Sequence, residues 1–318
     1  MPGNVIAFAN QKGGVGKTTT AINLAAALAE RRQRVLLIDL DPQANATSGL
    51  GVTPKAGTSL YEVLLGSGKL IEKVQATSVP RLFLVPSEVD LAGAEVDVAR
   101  SDRYLHRFKE ALDPLLQIQH YDYIFVDCPP SLGILTMNAL AAVDSVIIPL
   151  QCEYYALEGL SVIARLIEKM RVSGANPKLQ LEGIVLTMFD ARTNLAQQVV
   201  DEVRGHFGDN VFNAVIPRNI RISEAPSHGM PVVAYDSKSS GAEAYRGLAR
   251  EFLKKRAPVP APKPVAPPPP PPPVQDTPAP IPAPSTADVP PQPEPAPIPH
   301  PIAVAAEASL ECGTTVPP

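Results

Sequence analysis

The chain has 318 residues, with 28 Lys and Arg against 32 Asp and Glu, for a net charge of −4. That balance does not mark a nucleic-acid protein, so any such contact must come from a local basic patch, and residues 204–256 offer one with nine Lys/Arg against five Asp/Glu. Three scattered cysteines, Cys128, Cys152 and Cys312, exclude a disulfide framework and a Cys-x-x-Cys metal site. No apolar run reaches the roughly 18 residues of a spanning helix or forms a signal-peptide core, so a cytoplasmic protein without integral membrane contact is expected.

The first apolar run, 5–9, enters a glycine-rich loop and then a helical pattern over 17–31. A second run, 35–38, ends in two aspartates, and a third covers 82–85. A helix is predicted at 102–118, and a fourth run, 123–126, ends in Asp127 and two prolines. Strands at 145–148 and 183–188 then alternate with helices at 157–171, 195–207 and 241–255. The strand runs are apolar on both sides, which requires helices above and below, so 1–256 should form one α/β domain with a doubly wound, mostly parallel sheet. Residues 257–318 hold 24 of the 37 prolines, including the run Pro267 to Pro273, and few large apolar side chains. Such a tail cannot bury enough surface to offset its ordering entropy and is expected to be disordered with polyproline II character.

In a parallel sheet the loops after the strands carry the chemistry. The first reads Asn10-Gln11-Lys12-Gly13-Gly14-Val15-Gly16-Lys17-Thr18-Thr19. Glycines let successive amides turn toward one anion, the helix start adds positive potential, Lys17 reaches the β- and γ-phosphates of ATP, and Thr18 is placed to ligate Mg²⁺. The common phosphate-loop pattern has Gly five places before Gly16, where this chain has Gln11, and a second lysine, Lys12, stands beside it. In Tyr123-Ile124-Phe125-Val126-Asp127 a hydrophobic strand delivers one acid at its tip, so Asp127 is expected to reach Mg²⁺ through water.

The form Lys-Gly-Gly-x-Gly-Lys-Thr-Thr resembles the deviant Walker A motif of the ParA/MinD superfamily, within the P-loop NTPase fold. Four further stretches resemble its ParA/Soj members: Asp41-Pro42-Gln43-Ala44-Asn45-Ala46-Thr47, residues 151–159, residues 187–194 and residues 216–227. The resemblance implies that Lys12 crosses a dimer interface to the partner's nucleotide, that Asp41 positions the attacking water, and that Asp39 supports the metal and loop network. It implies an adenine pocket at Pro217 and Asn219, and DNA-backbone contacts from Arg192 and Arg221 with Arg218 as helper. It further implies an ATP-dependent homodimer that binds DNA non-specifically near the nucleoid and is released when a ParB-type partner stimulates hydrolysis. The loop begins ten residues into the chain, so no helix-turn-helix extension is expected before it. Two other readings remain open: a ParA-like ATPase for another cargo, and a MinD-like membrane ATPase. In the second, the helix at 241–255 would lie on lipid through Tyr245, Leu248, Ala249, Phe252 and Leu253. The same spacing also suits a helix that closes the core.

Overall fold

A computed structural model of the chain describes residues 4–118 and 121–256. The proline-rich segment 257–318, with its expected disorder, lies outside the described residues. In chain order the elements are β1 (Asn4–Phe8), α1 (Lys17–Glu30), β2 (Val35–Asp39), α2 (Asn45–Gly49), α3 (Tyr61–Leu64), β3 (Gln75–Ala76), β4 (Leu82–Val85), α4 (Leu91–Ala99) and α5 (Arg107–Ile118). They continue with β5 (Tyr123–Asp127), α6 (Ile134–Ala142), β6 (Ser145–Gln151), α7 (Ala156–Val172), β7 (Gln180–Thr187), α8 (Asn194–Phe207), α9 (Ile220–Glu224), α10 (Val232–Tyr235) and α11 (Ser240–Arg256).

The sheet runs β3-β4-β2-β5-β1-β6-β7, all parallel except the short edge strand β3. Strand alternation sends neighbouring side chains into two separate cores. Ile6, Phe8, Val35, Leu37, Tyr123 and Phe125 face α1 and α11, whereas Val5, Ala7, Leu36, Ile38, Ile124 and Val126 face the layer of α4 to α8. Burial on both faces is why these strands read as unbroken apolar runs. On the α11 side Phe252 packs edge-on against Tyr123 at 5.1 Å and Phe125 at 6.1 Å. Tyr245, Leu248, Ala249 and Phe252 are all at most 1% exposed, so the apolar stripe of α11 is consumed by the core and α11 is the closing helix. At its end Arg256 binds Glu182 at the start of β7 and Ser145 at the start of β6.

Several boundaries differ from expectation for local reasons. The fifth predicted strand continues through Pro149 to Gln151, because β1 has already ended there and the missing proline N–H leaves no strand partner wanting. The helix predicted at 102–118 starts only at Arg107, since turns with Arg103 at φ 57 occupy the preceding residues. The last predicted strand starts earlier, at Gln180, and ends at Thr187, beyond which Met188 turns left-handed at φ 51. Six α-helices, α2, α3, α4, α6, α9 and α10, together with β3, were not anticipated.

Gly183 marks the tightest contact between β7 and the segment after α8, for a Cβ there would lie 2.5 Å from Phe212 Cε2. Gly183→Ala is expected to lower stability by about 1–3 kcal/mol through overpacking. Thermal denaturation checks this, and Phe212→Leu, which removes the obstructing ring atoms, should recover part of the loss in the double variant.

Candidate functional site

The loop between β1 and α1 is held from outside by side chains. Asn10 donates through Nδ2 to Pro149 O at 2.8 Å, and its Oδ1 accepts the Lys12 N–H at 3.0 Å. At the other end Thr187 Oγ1 donates to Val15 O at 2.8 Å, tying the loop to the tip of β7. Gly14 and Gly16 have φ of 73 and 82, conformations that L side chains avoid. Gln11, Gly13 and Gly14 are exposed, and the loop opens onto a cavity of about 450 Å³ lined by Gly14, Gly16, Lys17, Thr18, Thr19 and Asp41 among others.

The two lysines of this loop stand in different surroundings. Lys17 is 6% exposed and folds its Nζ back to Lys12 O at 3.1 Å. Burial lowers its pKa, while the charges of Asp127 and Asp41 oppose the shift. Lys12 swings to the rim, with its Nζ 3.1 Å from Glu153 Oε2, and both side chains of this pair are nearly half exposed. Glu153 also accepts the Gln151 side-chain amide, so it is held by two side chains at once.

Asp39 and Asp127 are register partners at the ends of β2 and β5. Asp39 has both oxygens committed: Oδ2 accepts Thr47 N at 2.8 Å and Thr47 Oγ1 at 2.7 Å, and Oδ1 accepts Asp41 N at 3.2 Å. Of metal support and loop support, it shows the loop contacts. Burial pushes its pKa up to about 6 against those hydrogen bonds, with the Asp41 charge adding to the rise. Asp127 is wholly buried and neither of its oxygens has a hydrogen-bond partner of good geometry. Burial, then the Asp39 charge, pushes its pKa well up, opposed by the Thr18 hydroxyl and Lys17. A buried carboxylate with vacant oxygens beside a helix-start threonine fits a hard divalent cation. Among the described residues no three His, Cys, Asp or Glu side chains form a metal cage, so an ion here would take Thr18, Asp127 through water, and phosphate oxygens, as Mg²⁺ does. Asp41, 5% exposed, lines the same cavity and accepts Gln43 N at 3.0 Å.

Past Gly16 and Met188 a second cavity of about 320 Å³ continues between Pro217, Asn219, Ile222 and Tyr245. Asn219 Oδ1 caps α9 by accepting Arg221 N at 2.8 Å, and Nδ2 donates to Ser240 Oγ at 2.8 Å. One N–H and one lone pair of the amide remain beyond these two bonds. The expected DNA-contacting arginines are exposed but paired: Arg192 grips Asp190 through Nε at 2.8 Å and Nη2 at 2.6 Å, and Arg221 meets Glu224 at 2.9 Å and Asp236 at 3.3 Å. Arg192 holds the Asp190 carboxyl far below the usual range. Arg218 makes no ion pair among the described residues and lines a cavity of about 400 Å³ with Arg192 and Glu153, whereas Arg221 lies outside it. Sequence reasoning gave no role to Glu153, Thr47 or Ser240; the first two fall inside the quoted motifs, and Ser240 carried no signal. Cys128 is buried, and burial first, then Asp127, pushes its thiol pKa far up, consistent with a packed residue.

A strand, a glycine loop with two lysines, a helix start and acid-tipped neighbouring strands define a P-loop nucleotide-binding site of the ParA/MinD type. A family model described as an AAA domain matches residues 3–181. The chromosome partitioning protein ParA of Myxococcus xanthus is 54% identical over 257 residues, covering 80% of this chain and 90% of the relative. The sporulation initiation inhibitor protein Soj of Bacillus subtilis is 53% identical over 254 residues, covering 78% and 98%. Among solved structures, a Mycobacterium smegmatis cobyrinic acid a,c-diamide synthase with bound ADP and magnesium is 38% identical at TM-score 0.69, covering 80% of this chain and 95% of that one. A putative plasmid partition protein of Borrelia burgdorferi bound to AMPPNP is 26% identical at TM-score 0.69, covering 80% and 99%. The chain belongs to the ParA/Soj family of chromosome partitioning ATPases.

The raised pKa of Asp39 carries a sign. A carboxyl with pKa about 6 when folded and near 3.8 when unfolded binds more protons in the folded state between those values. Stability from this group is therefore highest below the unfolded value and falls as pH rises toward 6. Denaturant unfolding of nucleotide-free protein is expected to show wild type losing stability relative to Asp39→Asn across that window and running parallel above it. Magnesium with a slowly hydrolysed ATP analogue should flatten the difference in slope, because a bound cation favours the ionised carboxylates.

Proposed function

We propose that the chain is an Mg²⁺-dependent ATPase of chromosome or plasmid partitioning, whose nucleotide state governs self-association and grip on DNA. The observation that carries this reading is the division of labour between its two loop lysines: Lys17 is buried in the phosphate cradle, and Lys12 is held on the rim where a second molecule can be reached.

The amides of residues 13–19 and the Lys17 ammonium would hold the β- and γ-phosphates, with Pro217 and Asn219 against adenine. Mg²⁺, held by Thr18 and through water by Asp127, would neutralise charge developing on the phosphoryl oxygens. Asp41 sits in the same cavity, where its carboxylate orients the attacking water. Lys12 must leave Glu153 to reach a partner's nucleotide, and a half-exposed pair of this kind is worth only about 0–1 kcal/mol, so the exchange is cheap. Closing two copies on ATP then places Arg192, Arg218 and Arg221 of each on one DNA backbone, without base reading and with strong salt dependence. A ParB-type protein that speeds hydrolysis would release both the dimer and the DNA, and the protein would gather on the nucleoid while ATP lasts.

Lys17→Ala is expected to abolish binding of a fluorescent ATP analogue. Lys12→Ala should retain it while losing the ATP-dependent dimer in sedimentation and slowing hydrolysis about 100-fold or more, as for loss of a cation delivered in trans. Arg192→Ala with Arg221→Ala should weaken ATP-dependent DNA binding and reduce its salt slope by about 1 per lost phosphate contact. Equal DNA affinity with ATP, with ADP and without nucleotide would overturn the coupling.

A further inference from the structure

Thr47 is 0% exposed, and its hydroxyl joins two elements at the phosphate end of the sheet. Oγ1 donates to Asp39 Oδ2 at 2.7 Å and accepts the Ser87 N–H, from the segment after β4, at 2.9 Å. The Thr47 N–H donates to the same Asp39 oxygen at 2.8 Å, and the other Asp39 oxygen accepts Asp41 N at 3.2 Å. A single carboxylate thus clasps both ends of the loop that carries Asp41. Between the ends Asp41 braces itself on Gln43 N at 3.0 Å, and Ala44 is left-handed at φ 53, a conformation that costs an L residue energy and persists only when its surroundings over-determine it.

We infer that the Thr47 hydroxyl is a positioning residue for hydrolysis: it closes the clasp on Asp39, fixes that clasp to the exit of β4, and thereby sets the place of Asp41 in the phosphate cavity. The inference rests on the reading of Asp41 as the group that orients the attacking water. The hydroxyl acts as donor and acceptor at once, which serine reproduces and valine does not. Valine would leave the Ser87 N–H buried without its acceptor and Asp39 with one donor fewer, so the loop loses the constraint that holds its strained turn. The nucleotide itself is held by the backbone cradle of residues 11–20 and by Pro217 and Asn219, none of which the Thr47 hydroxyl touches, so the defect falls on the chemical step and not on affinity. Misplacing a reacting group by a fraction of an ångström is costly in rate, whereas binding barely registers it.

The test compares wild type with Thr47→Val, Thr47→Ser and Asp41→Asn. Single-turnover hydrolysis of Mg·ATP is measured per titrated nucleotide site, so that misfolded material drops out, alongside the Kd of a slowly hydrolysed ATP analogue. Thr47→Val is expected to slow turnover about tenfold or more with Kd changed less than about twofold, and Thr47→Ser to turn over near the wild-type rate. The inference is overturned by a full rate in Thr47→Val, by equal slowing in Thr47→Ser, or by a Kd that rises in step with the loss of rate, including complete loss of binding. Asp41→Asn at the wild-type rate would overturn the reading of Asp41 itself. A slow Asp41→Asn beside a full-rate Thr47→Val overturns only the role of Thr47.

Discussion

Three carboxylates, Asp39, Asp41 and Asp127, are gathered at the ends of two paired strands with one buried ammonium, Lys17, beside them. Concentrating negative charge away from water is unfavourable unless something answers it, and much of the phosphate end can be understood as the answer. Asp39 is answered internally, by three donors from its own loop. Asp127 is left with two unpartnered oxygens, which a hard cation arriving with a nucleotide's phosphates would answer. Binding of a magnesium-nucleotide there would relieve a destabilising arrangement as well as fill a cavity, and would couple occupancy to the stability of the strand ends.

The same economy governs the rim. Lys12, Arg192 and Arg221 each rest on a carboxylate of their own chain, so none presents a bare charge in the isolated molecule. These pairs are exposed enough to be weak, and a phosphate offers a comparable partner. Under the proposed function, exchange of internal carboxylates for phosphates would let nucleotide and DNA act as switches with little rearrangement of the fold.

How far the sequence disclosed this depends on the residue in question. The phosphate loop was legible because its function is written in backbone needs: glycine where φ is positive and lysine at a fixed distance from it. The central strands were legible because burial on both faces leaves continuous apolar runs. The helix α6 was not, since Ile134 to Ala142 is apolar nearly all round and lacks the one-sided stripe that marks a helix. The helix α4 had a stripe, Leu91, Ala94 and Val98, but only nine residues in which to show it. The commitment of Asp39 to Thr47, eight residues on, reflects a loop closing in three dimensions, which no local pattern encodes.

Arg256, anchored on Glu182 and Ser145, ends the last helix at the amino-terminal edge of the strands, whereas the phosphate loop leaves their carboxyl edge. The described domain therefore hands on its chain from the pole remote from ATP. A label, tether or fused reporter joined just after that arginine starts out of the way of both the nucleotide mouth and the rim lysine. Such attachments make the carboxyl side the natural point from which to follow this molecule at work.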